Sequence, residues 1–312
     1  MLEVFQYNGG VKRISLSEID GNKLVWVDMT DATAEEFSQV KDLFQLHPLT
    51  VEDIQMMNVR IKVEEFPDYL FCVFYGISTE HGHDRMVELD TVLGKSFVIT
   101  SHKHPLVATT ELKNDLQRLE SMFQKGPDFI FHRILDVEVD HYFPVLERME
   151  DEIEQIEERV THNPLPGLLA EILALKRELI NVRKYVFQQR DKLAYIAKND
   201  YSFISRRAVP YFRDVYDHAI RVHDSIENYK ETLSNAFEVY MSVVSNRMNE
   251  VMKTLSIIAT LALPLTAISS IYGMNFAHLP GSGNPFGFWL MLLFMLAIVI
   301  GTLVFFKRRK WF

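Results

Sequence analysis

Two apolar runs near the C-terminal end dominate the pattern of hydrophobic and polar positions. The first covers residues 255–271 and the second covers residues 286–306, and neither contains a charged side chain. Each run is close to the ~20 residues that a helix needs to cross a bilayer core of ~30 Å. The pattern therefore predicts two transmembrane helices, joined by a short segment rich in Gly, Pro and Asn.

The N-terminal part of the chain switches between strand and helix patterns. Apolar and polar residues alternate at 2–7 and 23–28, and apolar, β-branched and aromatic residues concentrate at 69–75 and 88–100. A helix is predicted to open in residues 30–37, where capping residues are followed by acids, and a second helix is predicted from Thr50, after the break at His47-Pro48. Strands interleaved with helices indicate a cytosolic α/β domain, which we predict at 1–125.

From Pro127 onward the pattern is helical. Apolar residues recur three or four positions apart, which predicts an antiparallel helical pair at 126–200, with Pro144 kinking or dividing the first helix. A third helix is predicted to start at Val209-Pro210, and no helix breaker follows before Pro264. We therefore expect a long helical stalk at 201–272 that is continuous with the first transmembrane helix.

Positive charge flanks the apolar runs on one side only. Lys253 precedes the first run and four basic residues at 307–310 follow the second, whereas 272–285 contains no Lys or Arg. Positive flanks stay in the cytoplasm. We therefore predict an external loop at 273–285, a second transmembrane helix at 286–306, a basic cytosolic tail at 307–312, and both termini on the cytoplasmic side of the plasma (inner) membrane. No signal peptide is recognised, and the single Cys72 fits a cytosolic compartment.

Composition restricts the possible functions. The formal net charge is −9, which argues against nucleic acid as a partner because nucleic acid requires clustered Lys and Arg. The same charge is compatible with collecting cations and with the ordinary solubility of a cytosolic domain. We recognise no nucleotide-binding loop, nucleophilic triad or catalytic metal motif, so we expect neither an enzyme nor an organic cofactor.

A stripe of residues on the first apolar run could line a pore. Stepping back from Asn275 at helical spacing gives small or hydroxylated residues first and apolar residues towards the cytoplasmic end. Several copies around one axis would be needed to enclose water. Alternatively, Ser and Thr bond their own backbone, small residues pack helices, and Asn275 is only a left-handed helix cap. The stripe consists of Gly273, Ser270, Thr266, Leu263, Ala259, Leu255, Met252 and Asn249.

The chain resembles the CorA family of divalent-cation channels over most of its length. The resemblance lies in the segments YGMNF (272–276), HPLTVED (47–53), YFRDVYDH (211–218) and SNRMNEVM (245–252), and in the basic-Trp-Phe ending. It implies a homo-oligomeric, pentameric funnel in the bilayer. It also implies a selectivity filter at Gly273, Met274 and Asn275, with Mg²⁺ as substrate and Co²⁺ and Ni²⁺ as possible substrates.

The chemistry of the implied mouth is consistent with Mg²⁺, which gives up its waters reluctantly. A ring of Asn275 amide oxygens can accept hydrogen bonds from the hydrated ion and still release it, whereas a carboxylate ring would bind it more tightly. Met252, Leu255 and Leu263, repeated around a ring, would form apolar collars that gate the pore. Pro264 removes one backbone hydrogen bond and permits a kink.

The resemblance further implies a regulatory Mg²⁺ site between subunits. Asp214 matches the family acid on the stalk, Glu80 and Asp84 lie in the hairpin matched to its partner, and Glu238 stands where the family has an Asp. Opposed carboxylates repel each other unless Mg²⁺ bridges them, so cytosolic Mg²⁺ would hold the ring closed. The alternative for Asp214 is an ordinary exposed acid on a helix.

Two departures from the family pattern leave other functions open. The loop at 277–285 contains no acid but has His278, and Ser270 replaces the usual Gly. Imidazole suits Zn²⁺, Co²⁺ or Ni²⁺ better than Mg²⁺. One alternative is therefore a Zn²⁺ transporter of the same architecture. Another is a membrane-anchored regulator that does not conduct ions.

Overall fold

The structure is a computed structural model that describes residues 1–56, 60–80, 83–162, 167–275, 279–281, 283–309 and 311, without the side chains of Glu80 and His83. The chain divides into two units. The first comprises Met1–Arg159 with Pro166–Ala236, and the second comprises Val160–Leu165 with Phe237–Phe312.

A seven-stranded sheet forms the centre of the first unit. The strands are β1 (Leu2–Tyr7), β2 (Val11–Ile14), β3 (Leu24–Thr30), β4 (Lys62–Glu65), β5 (Tyr69–Glu80), β6 (His83–Gly94) and β7 (Phe97–His102). Their order is β2-β1-β3-β7-β6-β5-β4. The central pair β3–β7 is parallel and the other neighbours are antiparallel.

Nine α-helices are assigned in the described part of the chain, besides a short 3-10 helix at Leu16–Glu18. They are α1 (Ala34–Phe44), α2 (Pro48–Gln55), α3 (Val107–Asn114), α4 (Leu116–Phe123), α5 (Pro127–Asp140), α6 (Tyr142–His162), α7 (Leu168–Lys198), α8 (Val209–Tyr272) and α9 (Gly287–Arg308). The predicted α/β domain, long helix and two apolar C-terminal helices are therefore confirmed. Strands β2 and β4 and helices α3 and α4 were not predicted.

The region predicted as a helical pair contains three helices. The break falls at His141, between α5 and α6, and Pro144 lies in the first turn of α6, where a missing N–H costs no helical hydrogen bond. Helix α5 packs on the sheet, since Ile130 and Ile134 are fully buried in the same core as the strands. The predicted strand at 88–100 is also divided, because Gly94-Lys95-Ser96 turns the chain from β6 into β7.

Helices α6 and α7 close one edge of the sheet. On the edge opposite β6, β4 pairs with residues 70–73 of β5, and no strand in the described ranges pairs with the later residues of β5 on this edge. The backbone N–H of Tyr75 donates to Gln189 Oε1 at 2.6 Å, and the Tyr142 hydroxyl donates to the Tyr75 carbonyl at 2.9 Å. Gln189 Nε2 in turn donates to the Tyr142 hydroxyl at 3.0 Å. These side chains provide hydrogen-bond partners for the backbone N–H and carbonyl of Tyr75, which would otherwise be buried at the sheet edge without one.

A buried ion network fixes the parallel pair at the centre of the sheet. Asp28 on β3 is fully buried, and its carboxylate lies 2.5 Å from Lys113 Nζ and 3.1 Å from His102 Nε2 on β7. Burial by itself would raise the pKa of Asp28, but His102 and Lys113 outweigh burial and lower that pKa to about 2. The charge is thus compensated, as buried carboxylates require.

In the second unit, α8 and α9 each contain an apolar stretch long enough to cross a membrane. The buried and half-buried positions of α8 here include Ile257, Leu261, Pro264 and Ile268, and those of α9 recur every three or four residues from Gly287 to Phe306. Both helices also line one cavity of about 290 Å³. We infer that these two faces pack against each other.

Candidate functional site

Helix α8 ends at the start of the predicted filter. The N–H of Gly273 still donates to the Ser269 carbonyl at 2.9 Å, and that of Met274 donates to the Ile271 carbonyl at 3.3 Å. A Cβ added to Gly273 would lie 3.2 Å from the Ser269 oxygen, which is tighter than most real contacts. A glycine therefore lets the helix end here without displacing this carbonyl. Met274 and Asn275 follow it and are exposed.

The interpretation of Asn275 as a left-handed cap is wrong. Asp31 and Gln45 are the non-glycine residues with positive φ in the described ranges, so Asn275 does not adopt the left-handed conformation. A left-handed helix cap therefore does not account for the asparagine at this position. His278, on which the Zn²⁺ alternative partly rested, lies outside the described residues.

The chain that returns to α9 is tied to the end of α8. The Tyr272 hydroxyl donates to the Pro280 carbonyl at 3.0 Å. Gly281 has φ +83°, and a Cβ on Gly287 would lie 2.2 Å from the Gly281 oxygen. The first residue of α9 must therefore be a glycine, because the carbonyl oxygen of Gly281 lies where a side chain of residue 287 would begin.

The predicted pore stripe lies on the side of α8 that faces away from α9. Successive residues of a helix are rotated by about 100°, which places Leu255, Ala259 and Thr266 about 160–200° around from Ile257. Ile257 is buried, whereas all eight stripe residues are exposed. Asn249 lies at the edge of the stripe, about 60° around from Met252. The stripe from Met252 to Gly273 is thus one uncovered face of the helix.

Several hydroxyl groups of α8, including that of Thr266 in the stripe, bond their own backbone, as the structural alternative predicts. Thr266 Oγ1 donates to the Ala262 carbonyl at 2.8 Å, and Thr260 Oγ1 donates to the Ser256 carbonyl at 2.7 Å. Such a hydroxyl has used its proton but keeps oxygen lone pairs that can accept another hydrogen bond. The back-bond therefore leaves Thr266 able to accept from a hydrated cation.

A cluster with metal-ligand chemistry lies in the first unit. One ligand atom each from Asp136 and Asp140 on α5 and from His218 on α8 lie within 4.8 Å of one another. His218 Nδ1 is 2.5 Å from an Asp140 oxygen, and His218 Nε2 is 3.9 Å from an Asp214 oxygen. Two carboxylates and an imidazole could hold a divalent cation, and Asp214 is a further carboxylate within reach of the same imidazole.

Sequence reasoning found Asp214 in this cluster but missed the other three residues. The spacing of Asp136 and Asp140, four apart on a helix, places both on one face and was an available signal. Their partner His218 could not be inferred, because it is brought to them only by the packing of α5 against α8.

The other predicted regulatory residues are not part of this cluster. Asp84 accepts a hydrogen bond from Thr79 Oγ1 at 2.6 Å and forms an ion pair with Arg148 of α6. The pKa of Glu178 on α7 is raised first by burial, then by the charge of Glu152 and then by that of Asp84. Asp84 therefore lies on the side of the unit formed by α6 and α7. Glu238 is an exposed residue of α8. The side chain of Glu80 lies outside the described residues.

With two helices long and apolar enough to cross a membrane, the fold is typical of a membrane protein. Residues 21–308 match the family model for CorA-like Mg2+ transporter proteins. The chain therefore belongs to the family of CorA-like Mg²⁺ transporters, and the predicted resemblance is confirmed.

Individual relatives agree with this assignment. The chain is 34% identical over 296 residues to the cobalt/magnesium transport protein CorA of Thermotoga maritima, covering 94% of this chain and 84% of the relative. It is 32% identical over 304 residues to the putative metal ion transporter YfjQ of Bacillus subtilis, covering 97% and 95%. The complete structure of the CorA magnesium transporter from Methanocaldococcus jannaschii superposes with a TM-score of 0.89, 23% identity and coverage of 100% and 99%, which shows the common fold.

Proposed function

We propose that the protein is a passive channel for hydrated divalent cations, with Mg²⁺ as the main substrate and Co²⁺ and Ni²⁺ as further substrates. The observation that carries this proposal is the uncovered stripe of α8, which faces away from α9 and leads to Gly273, Met274 and Asn275. A single hairpin cannot enclose water, so several copies, in a homopentamer, would turn their stripes towards a common axis.

Asn275 is the proposed contact for the incoming ion. Its side chain is exposed just beyond the end of α8 and is not needed as a left-handed cap. Mg²⁺ keeps its waters, so a ring of amide oxygens can accept hydrogen bonds from the water shell without removing it. Neutral oxygens also hold the ion loosely enough for release, which conduction requires.

The stripe below the mouth changes from polar to apolar. Ser270 and Thr266 would offer oxygen acceptors to the hydrated ion, and Ala259 is too small to block it. Leu263, Leu255 and Met252 would form apolar collars that stop the ion until they widen or become wet, and Asn249 would lie below them. The gate is therefore proposed in the cytoplasmic half of the stripe.

Mg²⁺ is also the proposed regulator, at the cluster on α5 and α8. Asp140 and Asp214 bring negative charge together around His218, and Asp136, which is also paired with Arg133 at 2.9 Å, adds a third carboxylate; such charge favours binding of a dication. Asp214 is the exposed member and could be shared with another copy. Asp84 lies outside this cluster, where it pairs with Arg148, so we assign it a secondary part, and Glu238 would act lower on the stalk.

The proposed orientation follows from charge. Lys253 and the basic residues at 307–310 flank the apolar runs on the same side, which would be the cytoplasmic side of the plasma membrane. Both termini would then be cytoplasmic and Asn275 would face outward. The first unit would meet cytosolic Mg²⁺, as a regulatory site requires.

The experiment that tests the channel is Mg²⁺ uptake into proteoliposomes, followed with a dye inside the vesicles. We expect flux from the wild type and strongly reduced flux from Asn275→Ala. Thr266→Val should also reduce flux, whereas Thr260→Val should not. Both threonines bond the carbonyl four residues back, and they differ mainly in facing directions about 120° apart on the helix.

Two outcomes would contradict the proposal. One is a wild type that gives no flux of Mg²⁺, Co²⁺ or Ni²⁺, which would favour a regulator that does not conduct. The other is equal sensitivity of flux to Thr260→Val and Thr266→Val, because the stripe would then not be the pathway. Competition between Mg²⁺ and Zn²⁺ in the same vesicles tests the Zn²⁺ alternative.

A further inference from the structure

The C-terminal end of α9 carries concentrated positive charge. Lys307 and Arg308 lie in its last turn, Arg309 follows at the cap position, and all three residues are exposed. Among the residues that the structure describes, no carboxylate forms an ion pair with any of the three. No Asp or Glu follows Glu250 in the sequence, so the hairpin itself supplies no acid that could neutralise them. The positive charge at this end of the helix is therefore uncompensated.

Aromatic side chains lie beside these charges. The guanidinium group of Arg309 lies 5.8 Å from the centre of the Phe305 ring, which is a cation–π contact. Beyond the helix end, the backbone N–H of Trp311 donates to the Phe306 carbonyl at 3.0 Å, and the two rings stack with their centres 5.1 Å apart. Trp311 is thus folded back onto the end of α9 and stays partly exposed. Tryptophan next to basic residues is typical of the headgroup region of a bilayer.

An exposed apolar stripe on α9 leads to the basic residues of the last turn. Successive residues of a helix are rotated by about 100°, so Leu293, Ile300 and Val304 lie within about 40° of one another. All three are exposed. By the same rotation, Lys307 lies about 60° to one side of Val304 and Arg308 about 40° to the other side, one turn further along. One face of α9 therefore changes from apolar to cationic along its length.

This face points away from α8. Phe306 lies about 160–200° around the helix from Val304, and it is buried, as expected of the side of α9 that packs on α8. The stripe is therefore on the side of the hairpin that a bilayer would contact. In the proposed ring, where the stripe of α8 faces the axis, this face of α9 would be outermost.

We propose that this face of α9 binds an anionic phospholipid, whose phosphate group is held by Lys307 and Arg308 and whose acyl chain lies along the stripe from Val304 to Leu293. Both side chains are phosphate binders, Arg as a planar fork and Lys as a point charge. Arg309 adds positive charge at the same level. In the proposed orientation this end of the hairpin lies in the cytoplasmic leaflet, where anionic lipids are found. The site requires only that α8 and α9 span a bilayer, and not that the protein conducts ions.

Other partners fit this surface less well. A soluble anion such as inorganic phosphate would pair with the charges but leave the apolar stripe uncovered. A zwitterionic phospholipid would cover the stripe, but its own cationic group would oppose binding next to Lys307 and Arg308. An acidic surface of another copy would pair with the charges and not with a stripe that lies at the depth of the acyl chains. An anionic phospholipid matches both the charge and the stripe.

Tryptophan fluorescence of the full-length protein in vesicles tests this site. Phosphatidylcholine vesicles receive increasing fractions of brominated phosphatidylglycerol or of brominated phosphatidylcholine, whose bromine atoms quench nearby tryptophan. The chain contains three Trp residues. Trp289→Phe leaves Trp311 as the reporter at the basic end of α9, and Trp311→Phe leaves Trp289 as the reporter at the opposite end. Trp26 is fully buried in the sheet of the first unit and contributes a constant background in both variants.

The two reporters should differ in their response to the two lipids. We expect brominated phosphatidylglycerol to quench Trp311 at roughly a third, or less, of the lipid fraction that brominated phosphatidylcholine requires, because each nearby basic residue adds attraction for an anionic headgroup. Trp289 should respond equally to both lipids, since residues 272–306 include no Asp, Glu, Lys or Arg. This comparison needs no change of charge in the protein.

Two charge variants, made in the Trp289→Phe protein, assign the preference to the basic residues. Lys307→Gln together with Arg308→Gln should abolish the preference for phosphatidylglycerol at Trp311. Arg206→Gln together with Arg207→Gln is the matched control, because it removes two positive charges from adjacent exposed positions of the first unit and should keep the preference.

Several results would overturn the proposal. They are equal quenching of Trp311 by both lipids, a preference at Trp289 as large as that at Trp311, and loss of the preference in the Arg206 and Arg207 variant. Equal quenching is also the result expected if an acidic surface of another copy covers the basic end. Loss of the preference on addition of inorganic phosphate at constant ionic strength would identify a site for a soluble anion instead. An absence of ion flux in the same vesicles would contradict the proposed channel and not this site.

Discussion

Leu255 and Ile257 are two residues apart on α8 and face opposite sides of the helix. Ile257 is 9% exposed, within the face that packs on α9, whereas Leu255 is 58% exposed. An uncovered leucine at the start of an apolar run can face lipid or another copy of the protein. In the proposed ring it faces the axis, where its side chain would narrow the pore.

This arrangement predicts the effect of polar substitutions on the gate. Leu255→Asn should raise Mg²⁺ flux and weaken closing, because a polar ring holds water where an apolar ring excludes it. Ile258→Asn is the matched control, since Ile258 is also 58% exposed but lies about 60° further around the helix. Proteoliposome flux with Mg²⁺ on both sides measures the effect. Equal leak from both variants would exclude a specific gate at Leu255.

The cluster of Asp136, Asp140, Asp214 and His218 predicts an effect on regulation that is separate from the gate. Asp214→Asn should make flux less sensitive to Mg²⁺ on the cytoplasmic side, because one carboxylate near His218 loses its charge. Asp224→Asn is the control: both Asp214 and Asp224 are 68% exposed, both lie on α8 and both have a histidine neighbour. The measurement is the cytoplasmic Mg²⁺ concentration that halves flux. A shift of the same size in both variants would show a general effect of charge and not a site.

Much of the fold follows from local patterns, but the sites do so only in part. The two apolar runs and the stalk helix were predicted because their signals are local and long. The capping residues at 30–33 similarly predicted α1, which begins at Ala34, and the structure selects Thr33 among them, since its side chain accepts from the Glu36 N–H. Strands β2 and β4 are four residues each, which is too short for an alternating pattern to be distinctive.

The missed parts of the sites depend on tertiary contacts. Asp136 was predicted only as part of a helix, and it becomes a candidate ligand because α5 packs against α8 next to His218. Asp84 shows the reverse case. The sequence places it in a hairpin with Glu80, but folding pairs it with Arg148 from a helix more than sixty residues away. The contact of Asp136 with His218 and that of Asp84 with Arg148 cannot be predicted from the neighbouring sequence.

The edge of β5 provides a prediction about stability. Tyr142→Phe removes the hydroxyl that donates to the Tyr75 carbonyl and accepts from Gln189. Two buried polar groups then lose a partner, which should cost roughly 1–3 kcal/mol. Tyr229→Phe is the control, because its hydroxyl donates to Glu150 at an exposed position and should cost less. Thermal melting of both variants in detergent compares them, and equal melting temperatures would contradict the role assigned to Tyr142.

We predict that the buried carboxyl group of Glu138 makes the free energy of unfolding depend on pH. It is buried beside Gly76, where an added Cβ would lie 2.0 Å from its Oε2, and its Oε1 accepts from the Ala108 N–H at 2.9 Å. Burial raises the pKa of Glu138 from 4.5 to about 7, although the hydrogen bond from Ala108 lowers it in part. The folded state therefore keeps a proton that the unfolded chain has already lost at pH 5–7. The stability contributed by this proton is complete below about pH 4.5 and declines as pH rises through 7.

Glu138→Gln should remove this pH dependence, because glutamine does not titrate. The variant should gain stability relative to the wild type between pH 5 and pH 8, by on the order of 3 kcal/mol for a shift of this size. This prediction concerns the change of stability with pH and not the free energy of unfolding at pH 5 itself. At pH 5 the amide of the variant replaces the protonated carboxyl group of Glu138 beside Gly76. Glu35→Gln, at an exposed position in the first turn of α1, should keep the slope of the wild type. Melting temperatures of the three proteins at pH 5, 6, 7 and 8 measure the slopes, and parallel curves for the wild type and Glu138→Gln would show that Glu138 does not titrate in this range.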